Sequence, residues 1–122
     1  VHLRGRVDRV DFTTDGHVRV IDYKTGRRPS QTLQPGVYAH AVQQQAQAAG
    51  RQVGIASSGY VAFREDVPWV PAVRQPADAD EAAREFTGAV ADIEAGAFPV
   101  RPQNEFRCQF CDFASVCRKD YV

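Results

Sequence analysis

The 122-residue chain lacks any apolar run approaching the ~20 residues of a membrane-spanning helix, which excludes a membrane protein. It also lacks an excess of charge, because fifteen basic residues balance fifteen acidic ones. This balance excludes a general polycationic surface for nucleic acid or anionic lipid. No basic-then-apolar segment typical of a secretion signal opens the chain. A content of 43% apolar and 25% charged residues predicts one globular domain over residues 1–122.

Cysteine is scarce, and its three copies, Cys108, Cys111 and Cys117, fall in one short segment. An odd count without dispersal argues against a disulfide framework, which staples separate loops in pairs. The C-x2-C-x5-C spacing favours metal or cluster ligands that lack one partner, with three free thiols as the alternative. Clustered thiols and the missing signal together favour a reducing, cytoplasmic compartment.

The hydrophobic pattern predicts an α/β fold with a mixed sheet, helices packed against it, and an irregular cysteine-containing tail. Two prolines in the fourth predicted strand remove ladder donors and make it an edge strand. Ala82, Phe86, Ala89, Val90 and Ile93 form the predicted buried face of the second helix. The predicted elements are strands at Val1–Phe12, Val18–Tyr23, Gly54–Arg64 and Val67–Val73, helices at Leu33–Ala49 and from Asp78 or Asp80 to Gly96, and a tail at Phe98–Val122.

Two aspartates on neighbouring predicted strands meet only in one hairpin register. A three-residue loop over residues 14–16 places Asp8 directly opposite Asp22, and its last residue, Gly16, suits the left-handed conformation that such loops need. A two-residue loop would instead pair Asp8 with Tyr23 and direct the carboxylates to opposite faces, unless a bulge intervened. Lys24, two residues after Asp22, shares its face of the strand.

Two facing carboxylates repel each other unless a cation or proton lies between them. Hard carboxylate oxygens suit Mg²⁺ or Mn²⁺, and a neighbouring lysine can hold an attacking water or stabilise developing phosphate charge. Asp8, Asp22 and Lys24 therefore indicate phosphodiester hydrolysis. The alternative is a salt-bridged, solvent-exposed hairpin face, but Asp22 follows the apolar Val18, Val20 and Ile21, which favours the functional interpretation.

Gln34 and Tyr38 are four residues apart, so they share one face of the helix that follows the Asp22–Lys24 strand. Either side chain can bind a metal-bound water or a phosphate, and Tyr38 can also stack on a base. The alternative is a half-buried Tyr38 in the core and a capping role for Gln34.

Three segments carry a resemblance to a known family. Gly5-Arg-Val-Asp-Arg-Val-Asp11, Val20-Ile-Asp-Tyr-Lys-Thr-Gly26 and Leu33-Gln-Pro-Gly-Val-Tyr38 occur in this order. The sequence resembles the RecB-type branch of the PD-(D/E)XK nuclease superfamily, found at the C-termini of RecBCD-, AddAB- and AdnAB-type helicase–nucleases and as stand-alone CRISPR-adaptation exonucleases. The resemblance implies a restriction-endonuclease-like fold.

The same resemblance implies a role for each site residue. Asp8, Asp22 and the Tyr23 carbonyl would bind Mg²⁺ or Mn²⁺, Lys24 would activate water, and the residue pair Gln34 and Tyr38 would complete the site against DNA. The implied activity is that of a deoxyribonuclease, with an exonuclease expected, acting on single-stranded or unwound DNA in repair and recombination beside a helicase motor. A catalytically silent DNA-binding or scaffolding module of a helicase complex is the alternative.

The cysteines resemble the last three of the four ligands of a [4Fe–4S] cluster in iron–sulfur members of the family. The family also has an upstream helix with a metal ligand and an upstream first cysteine, which are not present before Val1. We therefore expect this chain to be a C-terminal portion of a longer protein. In the longer protein Cys108, Cys111 and Cys117 would bind the cluster, and in this portion alone the cluster is expected to be incomplete or absent. A zinc site is the alternative metal centre.

Overall fold

In the described part of the chain, four strands and two long helices follow one another in the predicted order. The computed structural model describes residues 4–29, 33–97, 102 and 105–117. The elements are strands β1 (Arg9–Phe12), β2 (His17–Lys24), β3 (Gly54–Ala62) and β4 (Trp69–Val73), helices α1 (Leu33–Ala48) and α2 (Pro76–Glu94), and short 3₁₀ segments at Glu105–Phe110 and Ala114–Val116.

The chain divides into two compact units, Val1–Gly88 and Ala89–Val122. The first contains the sheet and α1, and the second contains the cysteines. Among the described helices, none has the length and apolar content to cross a membrane.

The sheet of the first unit is mixed, with strand order β1-β2-β3-β4. Both β1–β2 and β3–β4 are antiparallel, whereas β2 and β3 are parallel. A parallel pair needs a crossover connection, which α1 supplies. Strand β4 lies at the edge, where Pro71 pairs with Gly59. The predicted mixed α/β sheet with flanking helices is thus confirmed.

The β1–β2 hairpin adopts the three-residue loop. Arg9 pairs with Ile21, and the rest of the ladder keeps this register. Gly16, the last loop residue, has a φ of 81°, which is strained for residues with a side chain. Continuing the register by one residue places Asp8, just before β1, opposite Asp22. The hairpin register on which the predicted site depends is therefore confirmed.

Strand β1 is shorter than predicted, because it begins at Arg9 and not at Val1. Residues 1–3 lie outside the described part of the chain. The ladder between β1 and β2 stops at Arg9 because the Tyr23 amide donates to Asp8 Oδ2 at 2.9 Å. Its acceptor is thus a side chain and not a backbone carbonyl of the neighbouring strand.

Alternation along β2 directs Val18, Val20 and Asp22 to one face, where all three are buried. The Ser58 hydroxyl on β3 donates to the Pro35 carbonyl at 2.8 Å and so holds the first turn of α1 against the sheet. The buried apolar cluster consists of Val18, Val20, Ala39, Ile55, Val73 and Ala79.

Helix α2 begins at Pro76, before either predicted cap. Asp78 lies in its first turn and accepts hydrogen bonds from the Arg74 and Gln75 amides at 2.9 and 3.2 Å. A carboxylate that reaches back to the amides before a helix satisfies donors that have no partner within the helix. Asp78 thus stabilises the start of α2, as one of the two predicted alternatives proposed.

The predicted buried face of α2 is confirmed only in part, since Ala82 and Phe86 are half-buried. Ala79 is buried, whereas the predicted core residue Ile93 is 57% exposed. A Cβ built on Gly36 of α1 would lie 2.3 Å from the Ala82 Cβ, so α1 and α2 approach more closely there than a side chain at Gly36 would allow. Periodicity marks an apolar stripe but not the turns that meet a neighbour, so it overestimated the burial of this helix.

Candidate active site

Asp22 and Lys24 form a close ion pair on one face of β2. Lys24 Nζ lies 2.7 Å from Asp22 Oδ2, and the Asp22 side chain is only 8% exposed. Because Asp22 continues the face of Val18 and Val20, the fold buries its carboxylate along with them. A buried carboxylate is costly unless a cation accompanies it, and Lys24 provides that cation.

Gln34, in the first turn of α1, connects this pair to Tyr38. Its Oε1 accepts from Lys24 Nζ at 3.3 Å. Its Nε2 donates to Asp22 Oδ1 at 3.4 Å and to the Tyr38 hydroxyl at 3.2 Å. The cation and the carboxylate on either side fix the orientation of the amide, since a flipped amide would face both with the wrong group. The two residues that share a helix face and the two that share a strand face thus form one hydrogen-bonded network.

Asp8 lies at the peptide bond that joins Asp22 to Tyr23. Its carboxylate accepts the Tyr23 N–H at 2.9 Å, and the side chain is exposed. The N–H and C=O of one strand residue point towards the same neighbouring strand. The Tyr23 carbonyl, like the Tyr23 N–H, is therefore directed to the β1 side of β2. Asp8 therefore adjoins the backbone between Asp22 and Tyr23.

Tyr60 is a neighbour of the site that the sequence did not indicate. The parallel register pairs it with Asp22, and Lys24 Nζ lies 5.3 Å from its ring centroid. Burial, with smaller effects of Asp22 and Tyr38, raises the pKa of Tyr60 to about 12. Tyr60 remains a neutral phenol at physiological pH and offers its ring face to the ammonium group.

Gly5 is the second missed residue. A Cβ on Gly5 would lie 3.0 Å from Cε1 of Tyr38, so the Tyr38 ring packs closely against this backbone. The sequence indicated Gly5 only as part of a motif, and the position of Tyr38 gives the physical reason for a glycine there.

The sequence matches the PD-(D/E)XK nuclease superfamily over residues 1–118. The chain belongs to this superfamily. It is 32% identical over 122 residues to the Gene 69 protein of Mycobacterium phage L5, an alignment that covers 96% of this chain and 40% of the phage protein. The Gene 69 protein of Mycobacterium phage D29 is 32% identical over 120 residues, with 94% and 42% covered. The chain thus spans about two fifths of these relatives. No solved structure gives a significant match.

The oxygen atoms around Asp22 are of the kind that a small divalent cation binds. Asp22 Oδ2 is buried and faces the Lys24 ammonium, but it accepts no hydrogen bond of good geometry in the described structure. Asp8 and the Tyr23 carbonyl add two further oxygens of the hard type that Mg²⁺ and Mn²⁺ prefer. Over the residues described, no three His, Cys, Asp or Glu side chains group together, so a cation here would also need the backbone oxygen and water.

The three cysteines lie in the second unit. Cys108 and Cys117 are partly buried and Cys111 is exposed, and the Cys111 amide donates to the Cys108 carbonyl at 3.4 Å in a local turn. The chain contains no fourth cysteine, and the described residues do not bring these three into a metal-binding group. On their own, these thiols do not complete the ligand set of a [4Fe–4S] cluster.

Proposed function

We propose that this chain hydrolyses DNA phosphodiester bonds with the help of Mg²⁺ or Mn²⁺. The observation that supports the proposal best is the hydrogen-bonded network in which Lys24 contacts both Asp22 and Gln34. Such a network brings a cation-binding carboxylate and a positively charged group to one point. A solvated hairpin face would have no reason to bury Asp22 against α1.

Each residue has a distinct task in this proposal. Asp8, Asp22 and the Tyr23 carbonyl would hold the cation. When bound, a divalent cation neutralises charge on a phosphate and makes water more acidic. The Lys24 ammonium orients the attacking water or stabilises charge on the phosphate oxygens, and Gln34 holds the ammonium in position. The Tyr38 hydroxyl accepts from Gln34 Nε2, so its own proton remains available to donate to a DNA phosphate.

The finer assignment is a RecB-type exonuclease that acts beside a helicase motor in repair or recombination. Its support is the order of the three motifs and the contact between Gln34 and Tyr38. The chain has no net charge, so it provides little general attraction for DNA phosphates. A motor that delivers an unwound strand would provide that attraction.

A [4Fe–4S] cluster at Cys108, Cys111 and Cys117 is part of the same finer assignment, with zinc as the alternative. The spacing supports it, but a fourth ligand would have to come from elsewhere. Its role would be to stabilise the cysteine segment and not to take part in hydrolysis.

Cleavage of end-labelled DNA by the full-length protein tests the proposal. We expect cleavage with Mg²⁺ or Mn²⁺, none with chelator, and a loss of about a thousandfold in Asp22→Asn. Asp66→Asn, which changes an exposed aspartate between β3 and β4, is the matched control and should cleave normally. Undiminished cleavage by Asp22→Asn, or no cleavage by the wild type with either metal, would contradict the proposal; the latter is the behaviour of a silent scaffolding module.

A further inference from the structure

A cavity of about 470 Å³ opens beside Lys24 and Gln34, and the hydrolytic arrangement leaves it unused. Its volume lies within the range of about 300–1,000 Å³ for pockets that bury small organic groups. Because the cavity and the hydrolytic network share Lys24, Gln34 and Tyr38, a group bound in one would be adjacent to the other.

The lining beyond these shared residues is mainly apolar. Leu33 and Val37 contribute from α1 and Phe86 contributes an aromatic ring from α2. The exposed Arg4 adds a guanidinium. An apolar wall with the aromatic rings of Tyr60 and Phe86 and a few hydrogen-bonding groups suits a flat heteroaromatic ring, and a guanidinium suits a phosphate next to it.

We propose that this cavity receives one unpaired nucleobase of the DNA strand, next to the phosphate held at Lys24. This inference rests on the proposed function and adds a binding site for a base beside the cut phosphate. A base within a duplex is stacked and paired, so it enters a pocket only after being unstacked, whereas a single-stranded base enters at a smaller cost. The cavity therefore gives a structural reason for the expected action on single-stranded or unwound DNA.

Binding without cleavage provides the first test. A single-stranded oligonucleotide containing 2-aminopurine is titrated with full-length protein in chelator, so that no hydrolysis occurs. We expect the fluorescence to change as the base leaves its stacked neighbours and enters the cavity, and Phe86→Ala to weaken binding roughly tenfold. Leu33→Trp, which fills the cavity, should weaken binding without removing an aromatic ring. Phe12→Ala, which removes an exposed ring of β1 outside the cavity, is the matched control.

Cleavage of abasic oligonucleotides provides a second test that needs no variant. Moving one abasic site along a single strand should reveal one position, beside the cut phosphate, at which cleavage falls roughly tenfold. Metal-dependent cleavage that is indifferent to abasic sites, to Phe86→Ala and to Leu33→Trp would overturn the cavity proposal and leave the proposed function intact. Base binding that depends on Phe86, in a wild-type protein that never cleaves, would support the cavity and contradict the proposed function.

Discussion

The aspartate–lysine network of the first unit and the cysteine segment of the second differ in how far the described structure organises them. In the network, Gln34 contacts Asp22, Lys24 and Tyr38, and the carboxylate of Asp22 is buried. In the cysteine segment, Cys111 is exposed, and the described residues form no metal-binding group. Both were found through residue spacing. Residue spacing predicts a three-dimensional arrangement of side chains only where regular strands and helices hold the backbone in place.

Substitution of Lys24 is expected to have the largest effect on activity. Lys24→Ala removes the ammonium between Asp22 and Gln34, and we expect DNA cleavage to fall about a thousandfold. Arg19→Ala is the matched control: it removes a cation from the same strand, but one that contacts Ser57 and the Trp69 ring. Equal cleavage by both variants would show that the network has only a structural role. The functional difference between the network and the cysteine segment would then no longer hold.

Two helical glycines are expected to respond to alanine with opposite signs. Gly36→Ala would overlap the Ala82 Cβ, so we expect a loss of about 1–3 kcal/mol in unfolding free energy. A Cβ on Gly88 of α2 meets nothing within 4 Å, so Gly88→Ala should gain about 0.5–1 kcal/mol. Urea denaturation followed by circular dichroism measures both, and a neutral or stabilising Gly36→Ala would contradict the close approach of α1 to α2.

Acid is expected to weaken the start of α2 through Asp78. Hydrogen bonds from Arg74 and Gln75 hold the pKa of Asp78 below its ordinary value of 3.8. Because the folded-state pKa is the lower one, the stabilisation is complete above the unfolded-state pKa and is lost as the pH falls through the folded-state pKa.

Thermal unfolding between about pH 5 and pH 2 measures this effect. The Tm of Asp78→Asn should fall less with acid than that of the wild type, and Asp92→Asn, an exposed aspartate later in α2, should follow the wild type. Identical acid profiles for Asp78→Asn and the wild type would contradict the assigned cap.

Thiol labelling is expected to show the smallest effect and addresses the second unit. In metal-free protein, a maleimide should modify Cys111 before Cys108 and Cys117, because Cys111 is the exposed member of the three. Mass spectrometry of digested samples over time gives the order. Modification of Cys108 or Cys117 first would show that the segment is arranged differently.

The sequence was sufficient for those parts of the site that depend on local rules. Strand alternation predicted that Asp22 and Lys24 share a face, and Gly16 favoured the loop that sets the β1–β2 register. Helix periodicity predicted that Gln34 and Tyr38 lie on one face of α1, and the structure shows that this face is directed towards Asp22.

Longer-range features could not be predicted in this way. Tyr60 adjoins Lys24 because β2 and β3 pair in parallel, and no local pattern specifies the register of strands separated by a helix. The late start of β1 depends on the bond from Tyr23 to Asp8, which is a tertiary contact. The short buried part of α2 depends on where Gly36 meets Ala82.

Binding of Mn²⁺ tests most directly whether Asp8 and Asp22 jointly hold one cation. Electron paramagnetic resonance of free Mn²⁺, titrated with full-length protein, reports binding without any need for cleavage. We predict a site in the wild type and in the exposed-turn control Asp66→Asn that is lost in both Asp8→Asn and Asp22→Asn. Unchanged Mn²⁺ binding by the Asp8→Asn and Asp22→Asn proteins would contradict the account.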